Sequence, residues 1–556
     1  MTNDNFKRCQ KHALHLFRSN FVIILLAFIS TISFSASAKI CLQFPNFPTG
    51  QYQFEDDIKV PSFDGTELAI NLFTPINDQP AQGYPAIIFA NSWVLDEHEY
   101  LIQAKQFAEK GYIVLSYSAR GWGCSDGQVN VAGDKDVTDV SALIDWLLAN
   151  TPVDANNIGI SGISYGSGIS LLALAKEPRL KTAVAMSTWG SLGESLYQEQ
   201  TPRMFWGFLL VSSGFLTADL EPVIARNYAN LIFNQNIPET LEWAKMRSVD
   251  QYINLINERN APVYLANNLG DNLFQPNNLL EFYQNLTVPK RIDLNQGTHA
   301  SGEGFGLIGL ESFTWTNTHR WFDYWLKGEA TGIMNDAPVT MEVAHTGERD
   351  HFNNYPLNET ETQRFYLKAR GLFTQGGLQR SSYSPWWPKS NQIFSGLDTI
   401  ATTVIPLVSE ILDAHLNLPV KTPMGLISRV NGIVFQSDKL DSTMSIRGIP
   451  KLDIRLEPSL AQFQLNAYLY DVDRSGIGTL ITHGPITKYR AVPFRSESFQ
   501  WDLVATAYDI PQGHRLAIAF DTFDALYAVP TLLPYSVKFN FSSGQDSFLE
   551  VPTRAN

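Results

Sequence analysis

The residues Gly159-Ile160-Ser161-Gly162-Ile163-Ser164-Tyr165-Gly166-Ser167-Gly168 decide how the rest of the chain is read. An apolar run, Ile158–Gly162, leads into this stretch and a helical run, Ile169–Ala175, leaves it. A serine between them stands on a sharp strand-to-helix turn, where a Cβ on a flanking residue collides with backbone, so glycine is required on both sides. Such a turn pushes the Ser164 hydroxyl outward and aims the Tyr165 backbone N–H at the same space, over the positive end of a helix. A Gly/Ser-rich turn without chemistry has the same letters. The strand before it and the helix after it separate the two readings.

A serine hydroxyl is a poor nucleophile unless a base takes its proton and an acid orients that base. On this kind of turn they follow in the order Ser, Asp or Glu, His, each after a later strand. Val263–Asn267 runs into Asn268-Leu269-Gly270-Asp271, and Arg291–Leu294 runs into Asn295-Gln296-Gly297-Thr298-His299. His98 precedes the nucleophile. His345, His351, His415, His483 and His514 fall in the C-terminal half, and His319 sits in the amphipathic run Thr316–Trp325, where packing or capping is the ordinary role. Elimination leaves His299 as base. Asp271 is preferred to Asp293, which lies mid-strand. The fold expected from these signals is that of the α/β-hydrolases.

Further outward, short β-branched runs alternate with helical stretches from Ile58 to about Gly328, which predicts a doubly wound, mostly parallel sheet. The first two strands, joined at Asp64-Gly65, read as an antiparallel hairpin. Residues 191–260 are rich in Leu, Phe, Trp and helix formers and contain no strand run, so they read as a helical cap inserted between sheet strands. Trp189, Leu192, Leu196, Phe205, Trp206 and Phe208 would give that cap an apolar underside. After residue 335 short alternating runs separated by Gly, Pro, Asp and Ser predict an antiparallel β-sandwich over 336–556, interrupted by an apolar, helical insertion at 398–420.

Lys7, Arg8, Lys11 and Arg18, the apolar run Phe21–Ile32 and Ser35-Ala36-Ser37-Ala38 form the succession of a signal peptide, with cleavage after Ala38. The mature catalytic unit is then 39–335. Cys9 leaves with the signal. Cys41 and Cys124 remain, in a compartment that permits a disulfide, and their spacing leaves open whether they pair. The chain has 41 Lys and Arg against 55 Asp and Glu, a net charge of −14. That balance excludes a nucleic-acid partner, whose phosphates need a basic face, and argues against docking on anionic lipid. No stable membrane partner is expected after signal removal. No zinc-type motif or paired cysteines occur, so neither metal nor cofactor is expected.

Several further stretches give the chain a family likeness. They are Asp64-Gly65-Thr66-Glu67-Leu68, Phe107–Tyr112, Arg120-Gly121-Trp122-Gly123-Cys124-Ser125-Asp126-Gly127, Asp145-Trp146, Gly162–Gly166, Phe322–Gly328, Asp471-Val472 and Gly513–Leu516. With these the chain resembles the cocaine esterase and X-prolyl dipeptidyl-peptidase family, which includes α-amino-acid ester hydrolases. The resemblance implies a triad at Ser164, Asp271 and His299, a helical cap, and a C-terminal jelly roll like galactose-binding domains. It also implies a tyrosine after the strand at Ala86–Ala90 as second oxyanion donor. Asn91-Ser92-Trp93 stands there instead, which makes the Trp93 indole N–H, beside the local backbone amides, the candidate partner of Tyr165. Arg120 reads as a structural cation for a buried carboxylate. The expected activity is hydrolysis of small-molecule esters. An X-prolyl dipeptidyl-peptidase gripping the substrate amine through Glu194 or Glu199 is the alternative, and an inactive carbohydrate-binding protein a third.

Overall fold

The computed structural model describes residues 39, 41, 43, 47, 48, 50–77, 79–403 and 407–554. The proposed signal peptide, 1–38, lies outside the described residues.

The catalytic half is built on ten strands: β1 (Tyr52–Pro61), β2 (Glu67–Pro75), β3 (Tyr84–Ala90), β4 (Ile113–Tyr117), β5 (Val153–Ile163), β6 (Leu180–Met186), β7 (Val263–Asn268), β8 (Lys290–Asn295), β9 (Val339–Glu342) and β10 (Arg349–Phe352). They lie in the order β1-β2-β4-β3-β5-β6-β7-β8-β9-β10. The sheet is mixed. β1, β2 and β10 run antiparallel to their neighbours, and β4 through β9 are parallel. Helices Leu101–Glu109, Asp134–Asn150, Tyr165–Lys176, Pro276–Asn285 and Phe313–Lys327 supply the crossovers, so both faces of the central strands are covered. This explains why β3, β4 and β6 are almost uniformly apolar, with Ile87, Ile88, Val114, Leu115 and Val184 fully buried. Each such side chain is worth about 1.5–3 kcal/mol on burial.

Residues 191–260, expected as a cap, hold five α-helices, led by Leu192–Tyr197 and Met204–Thr217, and two 3₁₀ turns. Arg120 donates to both carboxylate oxygens of buried Asp139, at 2.8 and 2.6 Å, and to Asp64 at 3.0 Å. It thereby ties the Gly-rich turn to the helix beside it. Cys41 and Cys124 are joined in a disulfide on that same turn.

The catalytic sheet extends past the boundary expected at residue 335. β9 and β10 belong to the catalytic sheet, because β9 continues its parallel register from β8 (Ile292 opposite Val339) and β10 folds back on β9. A β-rich C-terminal domain follows, with fourteen strands in one connected network. Some strands alternate as expected, Lys451–Pro458 among them, but Phe463–Val472 is buried along its whole length. One of its faces fills the core of the domain. The other, with Tyr468 and Tyr470, is covered by Ala401, Met424 and Ile427 from in and around the insertion at 398–420. Within that insertion Val408–Leu416 is helical.

Candidate active site

The nucleophile turn shows why its glycines are there. A Cβ on Gly162 would lie 2.4 Å from the Gly166 backbone, and one on Gly166 would lie 2.0 Å from the Ala90 carbonyl oxygen. Between them Ser164 takes φ 54° and ψ −118°, a strained conformation for a residue with a side chain. β5 ends at Ile163 and the helix begins at Tyr165, so the Tyr165 N–H has no intrahelical acceptor.

β7 and β8 deliver the other two residues on adjacent loops. His299 Nε2 lies 2.7 Å from Ser164 Oγ, and His299 Nδ1 lies 2.8 Å from Asp271 Oδ2. Asp271 is fully buried, and its Oδ1 accepts backbone N–H bonds from Leu273 and Phe274 at 2.9 Å each. With Nδ1 donating to the carboxylate, Nε2 is left as the acceptor of the serine proton. Asp293 is committed elsewhere: it pairs with Arg291 at 2.9 Å and accepts from Tyr264, Asn317 and Thr340. His319 stacks on Phe107 with centroids 3.9 Å apart, a packing role.

The Trp93 side chain does not serve the oxyanion as the sequence suggested. Its indole N–H donates to the Leu210 carbonyl of the cap at 3.0 Å, and its ring stands edge-on to Trp122 and Tyr165. That donor is spent on holding cap to core. The Trp93 backbone N–H, on the turn after β3, is the donor this residue still offers.

The structure adds residues that motif reading passed over. Trp206 and Phe274 stand edge-on to the His299 ring, at 5.7 and 5.0 Å between centroids. Asn272, next to the acid, accepts from the Trp206 indole at 2.5 Å and donates to Glu410 at 2.7 Å. Behind the histidine loop, Ser187 Oγ accepts from the Ala300 N–H and Asn268 donates to Ser187 and to buried Glu303, each at 3.0 Å. The one signal for these in the sequence is polarity at the ends of apolar strands: Ser187 follows β6, and Asn267-Asn268 closes β7.

A cavity opens beside Ser164 beneath the cap. Trp189, Leu192 and Leu196 line it as the composition suggested, together with Leu210, Ile224 and Trp243. Phe205, Trp206 and Phe208 are not in its wall; Trp206 packs on the histidine and Phe208 faces outward. Glu194 is exposed and Glu199 pairs with Lys488 of the C-terminal domain at 3.1 Å, and neither lines the cavity.

Among the described residues one group of potential metal ligands comes together: Asp56, Glu97 and His98. Both ring nitrogens of His98 are held by carboxylates, Asp96 at 3.1 Å and Asp56 at 3.0 Å. Against the opposing effect of burial, those partners and Glu97 push its pKa up to about 9. A cationic imidazole is an ion-pair partner and a poor ligand.

With this geometry in hand, comparison with known proteins is decisive. Residues 64–301 match the X-Pro dipeptidyl-peptidase (S15 family) domain, and residues 331–550 match the X-Pro dipeptidyl-peptidase C-terminal non-catalytic domain. The chain is a serine hydrolase with an S15-type catalytic domain. A putative Xaa-Pro dipeptidyl-peptidase of Bacillus cereus is 23% identical over 470 residues, covering 76% of this chain and 73% of that protein. A CocE/NonD family hydrolase from Staphylococcus aureus superposes with a TM-score of 0.70 at 14% identity, over 90% of this chain and 94% of the other. An α-amino acid ester hydrolase gives 0.68 at 14% identity, over 94% and 100%. These two structures share the fold: an α/β-hydrolase unit followed by a β-rich domain. Within the S15 frame, the Ser164–His299–Asp271 chain of hydrogen bonds stands where the ends of β5, β7 and β8 converge.

Proposed function

We propose that the protein is an exported esterase that cleaves small esters with apolar acyl groups through an acyl-enzyme on Ser164. His299 Nε2 takes the hydroxyl proton as Ser164 Oγ attacks the ester carbonyl. The resulting oxyanion is met by the backbone N–H groups of Tyr165 and Trp93. Collapse expels the alkoxide, which receives the proton from His299, and water then repeats the sequence to release the acid. Asp271 holds His299 in the tautomer this needs.

The observation that carries the ester reading is the cavity, which is apolar almost throughout and has no carboxylate in its wall. A dipeptidyl-peptidase must grip a protonated α-amine, and a carboxylate is the group for it. The second reading, release of X-prolyl dipeptides, is favoured by the names of the S15 domain and of the Bacillus relative. The test compares kcat/KM for a short-chain nitrophenyl ester and a glycyl-prolyl anilide on the same enzyme at the same pH. We expect the ester to be preferred; a clear preference for the anilide overturns this reading in favour of the peptidase.

Export is supported by the Cys41–Cys124 disulfide, since such bonds persist in oxidising compartments. Intact mass of the mature protein is expected to begin at or near Lys39, and membrane-bound material retaining Met1 would replace the signal with an anchor. Burial of Phe463–Val472 from both sides supports reading the C-terminal domain as a jelly roll of the galactose-binding-like type. An experimental structure lacking the two stacked sheets would remove that reading.

A further inference from the structure

The turn that carries Trp93 is closed by a bond from the Leu95 N–H to the Ser92 carbonyl at 3.2 Å, and side chains tie it to the rest of the site. Ser92, immediately before Trp93, donates its N–H to Glu99 Oε2 at 2.6 Å, and its hydroxyl lies 2.6 Å from Glu99 Oε1. The same hydroxyl lies 3.0 Å from the carbonyl oxygen of Ile163, the residue before the nucleophile. The Ile163 N–H in turn donates to the Tyr100 hydroxyl at 2.9 Å, and that hydroxyl is a hydrogen-bond partner of Glu99. One carboxyl group therefore bridges the turn bearing the second oxyanion donor and the strand end bearing the serine.

Counting protons settles how the bridge is wired. The Ser92 hydroxyl has a single proton but two oxygens close by, Glu99 Oε1 and the Ile163 carbonyl. If Glu99 is ionised, the proton can serve only one of them. If Glu99 is neutral, its own O–H donates to Ser92 Oγ, Ser92 donates to Ile163 and the Ser92 N–H donates to Oε2, which leaves the Tyr100 hydroxyl, a partner of both Glu99 and Ser92, to give its proton to one of the two. We propose that Glu99 is a positioning residue which, as a protonated acid, clamps the Ser92–Trp93 turn onto the strand end that carries Ser164.

The surroundings agree. Burial pushes the Glu99 pKa up to about 8, outweighing the hydrogen bonds from Ser92 and Tyr100. Asp96, on the same turn, adds to the rise, while its carboxylate is itself held by His98. From the nucleophile side the facing groups are the Ile163 backbone and the Tyr100 hydroxyl. The sign follows directly. The clamp is whole below about pH 8. It is lost as pH rises through that value, when Ser92 turns its proton to the carboxylate and frees the Ile163 carbonyl. The oxyanion donor then loosens, which lowers kcat and leaves KM nearly unchanged.

The inference rests on the triad and on Trp93 supplying a backbone donor. The test uses the full mature chain with Glu99→Gln and Glu99→Ala, a nitrophenyl acetate assay from pH 6 to 10, and fluorophosphonate labelling of Ser164. A carboxamide reproduces the neutral acid, its NH₂ donating to Ser92 Oγ and its oxygen accepting from the Ser92 N–H. Glu99→Gln is therefore expected to keep kcat at pH 7 within about threefold and to lose the alkaline decline seen in the wild type. Glu99→Ala is expected to lower kcat about 10- to 100-fold with KM within about threefold. An alkaline decline unchanged in Glu99→Gln overturns the proposal, as does a Gln variant that is folded yet as impaired as Ala. Should Ala fail to fold, the pH profile of the Gln variant decides alone. Failure of the wild type to label at Ser164 strikes the triad itself, a different outcome from normal labelling with an unaltered profile.

Discussion

The cavity beneath the cap and a second cleft, at the junction with the C-terminal domain, share one wall. That wall is the loop after β7. Its Leu273 and Phe274 line the cavity, while Leu269 to Asn272 line the cleft together with Glu410, Asp413, Thr482 and His483. The cavity is apolar and the cleft is polar, a few residues apart on one loop. The difference shows how a buried carboxylate can serve a histidine without putting charge where an acyl group must sit. Asp271 is satisfied by backbone N–H groups of its own loop, and the loop then turns hydrocarbon toward Ser164.

The most severe way to break this division is to remove the triad. Ser164→Ala and His299→Ala are each expected to lower kcat by about 10⁴-fold or more, and Asp271→Asn by about 10⁴-fold through the wrong imidazole tautomer. Steady-state rates on a nitrophenyl ester check this, and a folded Ser164→Ala protein of normal activity would remove the assignment. A smaller effect sharpens the role of the cavity. Ala244 is buried in its wall, and Ala244→Phe fills space that a longer acyl chain would occupy. At about 0.8 kcal/mol per buried methylene, losing room for two or three lowers kcat/KM for a hexanoyl ester about 10- to 50-fold relative to an acetyl ester. Equal losses on both esters would place the acyl chain elsewhere.

The smallest effect belongs to the cleft. Burial pushes Glu410 up to about 7, so the folded protein holds this proton more tightly than the unfolded chain does. Its contribution to stability therefore falls as pH rises from the ordinary carboxylate range toward 7. Glu410→Gln removes that fall. Between pH 5 and 8 the wild-type Tm is expected to drop about 2 °C further than that of Glu410→Gln, with kcat at pH 6 the same within about twofold. Parallel Tm curves would mean that the carboxyl titrates as it does in water.

Residues that must obey a local rule were the legible ones. The glycines around Ser164 are dictated by backbone contact, and Asp271 and His299 follow the ends of apolar strands, so the fold and the side chains that meet at Ser164 could be read together. The cap was legible as a break in the strand rhythm, although half of its large apolar residues proved to pack away from the cavity. What the sequence hid depends on approach in space. Nothing near Trp93 announces that its indole meets Leu210, which lies 117 positions away. Glu99 carries no mark that separates it from a solvated helix-start acid until Ser92 and Ile163 are brought beside it. The sheet's extension past 335 was hidden for a similar reason: β9 and β10 have the composition of the later domain and pair onto the earlier sheet.

The start of the cap helix Met204–Thr217 is fastened from several sides. Arg203 donates to the Asn272 carbonyl at 2.8 Å and Trp206 to the Asn272 side chain, while Phe205 donates its N–H to Leu526 and Ala528 donates its N–H to Pro202, at 3.2 and 3.0 Å. A flap stapled at the end beside the histidine cannot hinge there. The other end is fastened as well: just past Thr217 the Asp219 N–H donates to the Gly121 carbonyl at 3.1 Å, and the Val129 N–H donates to the Asp219 carbonyl at 2.7 Å. Held at both ends, the helix is a fixed bar across the cavity, and the room beneath it is set by the side chains it turns inward, Leu210 and Val211 among them.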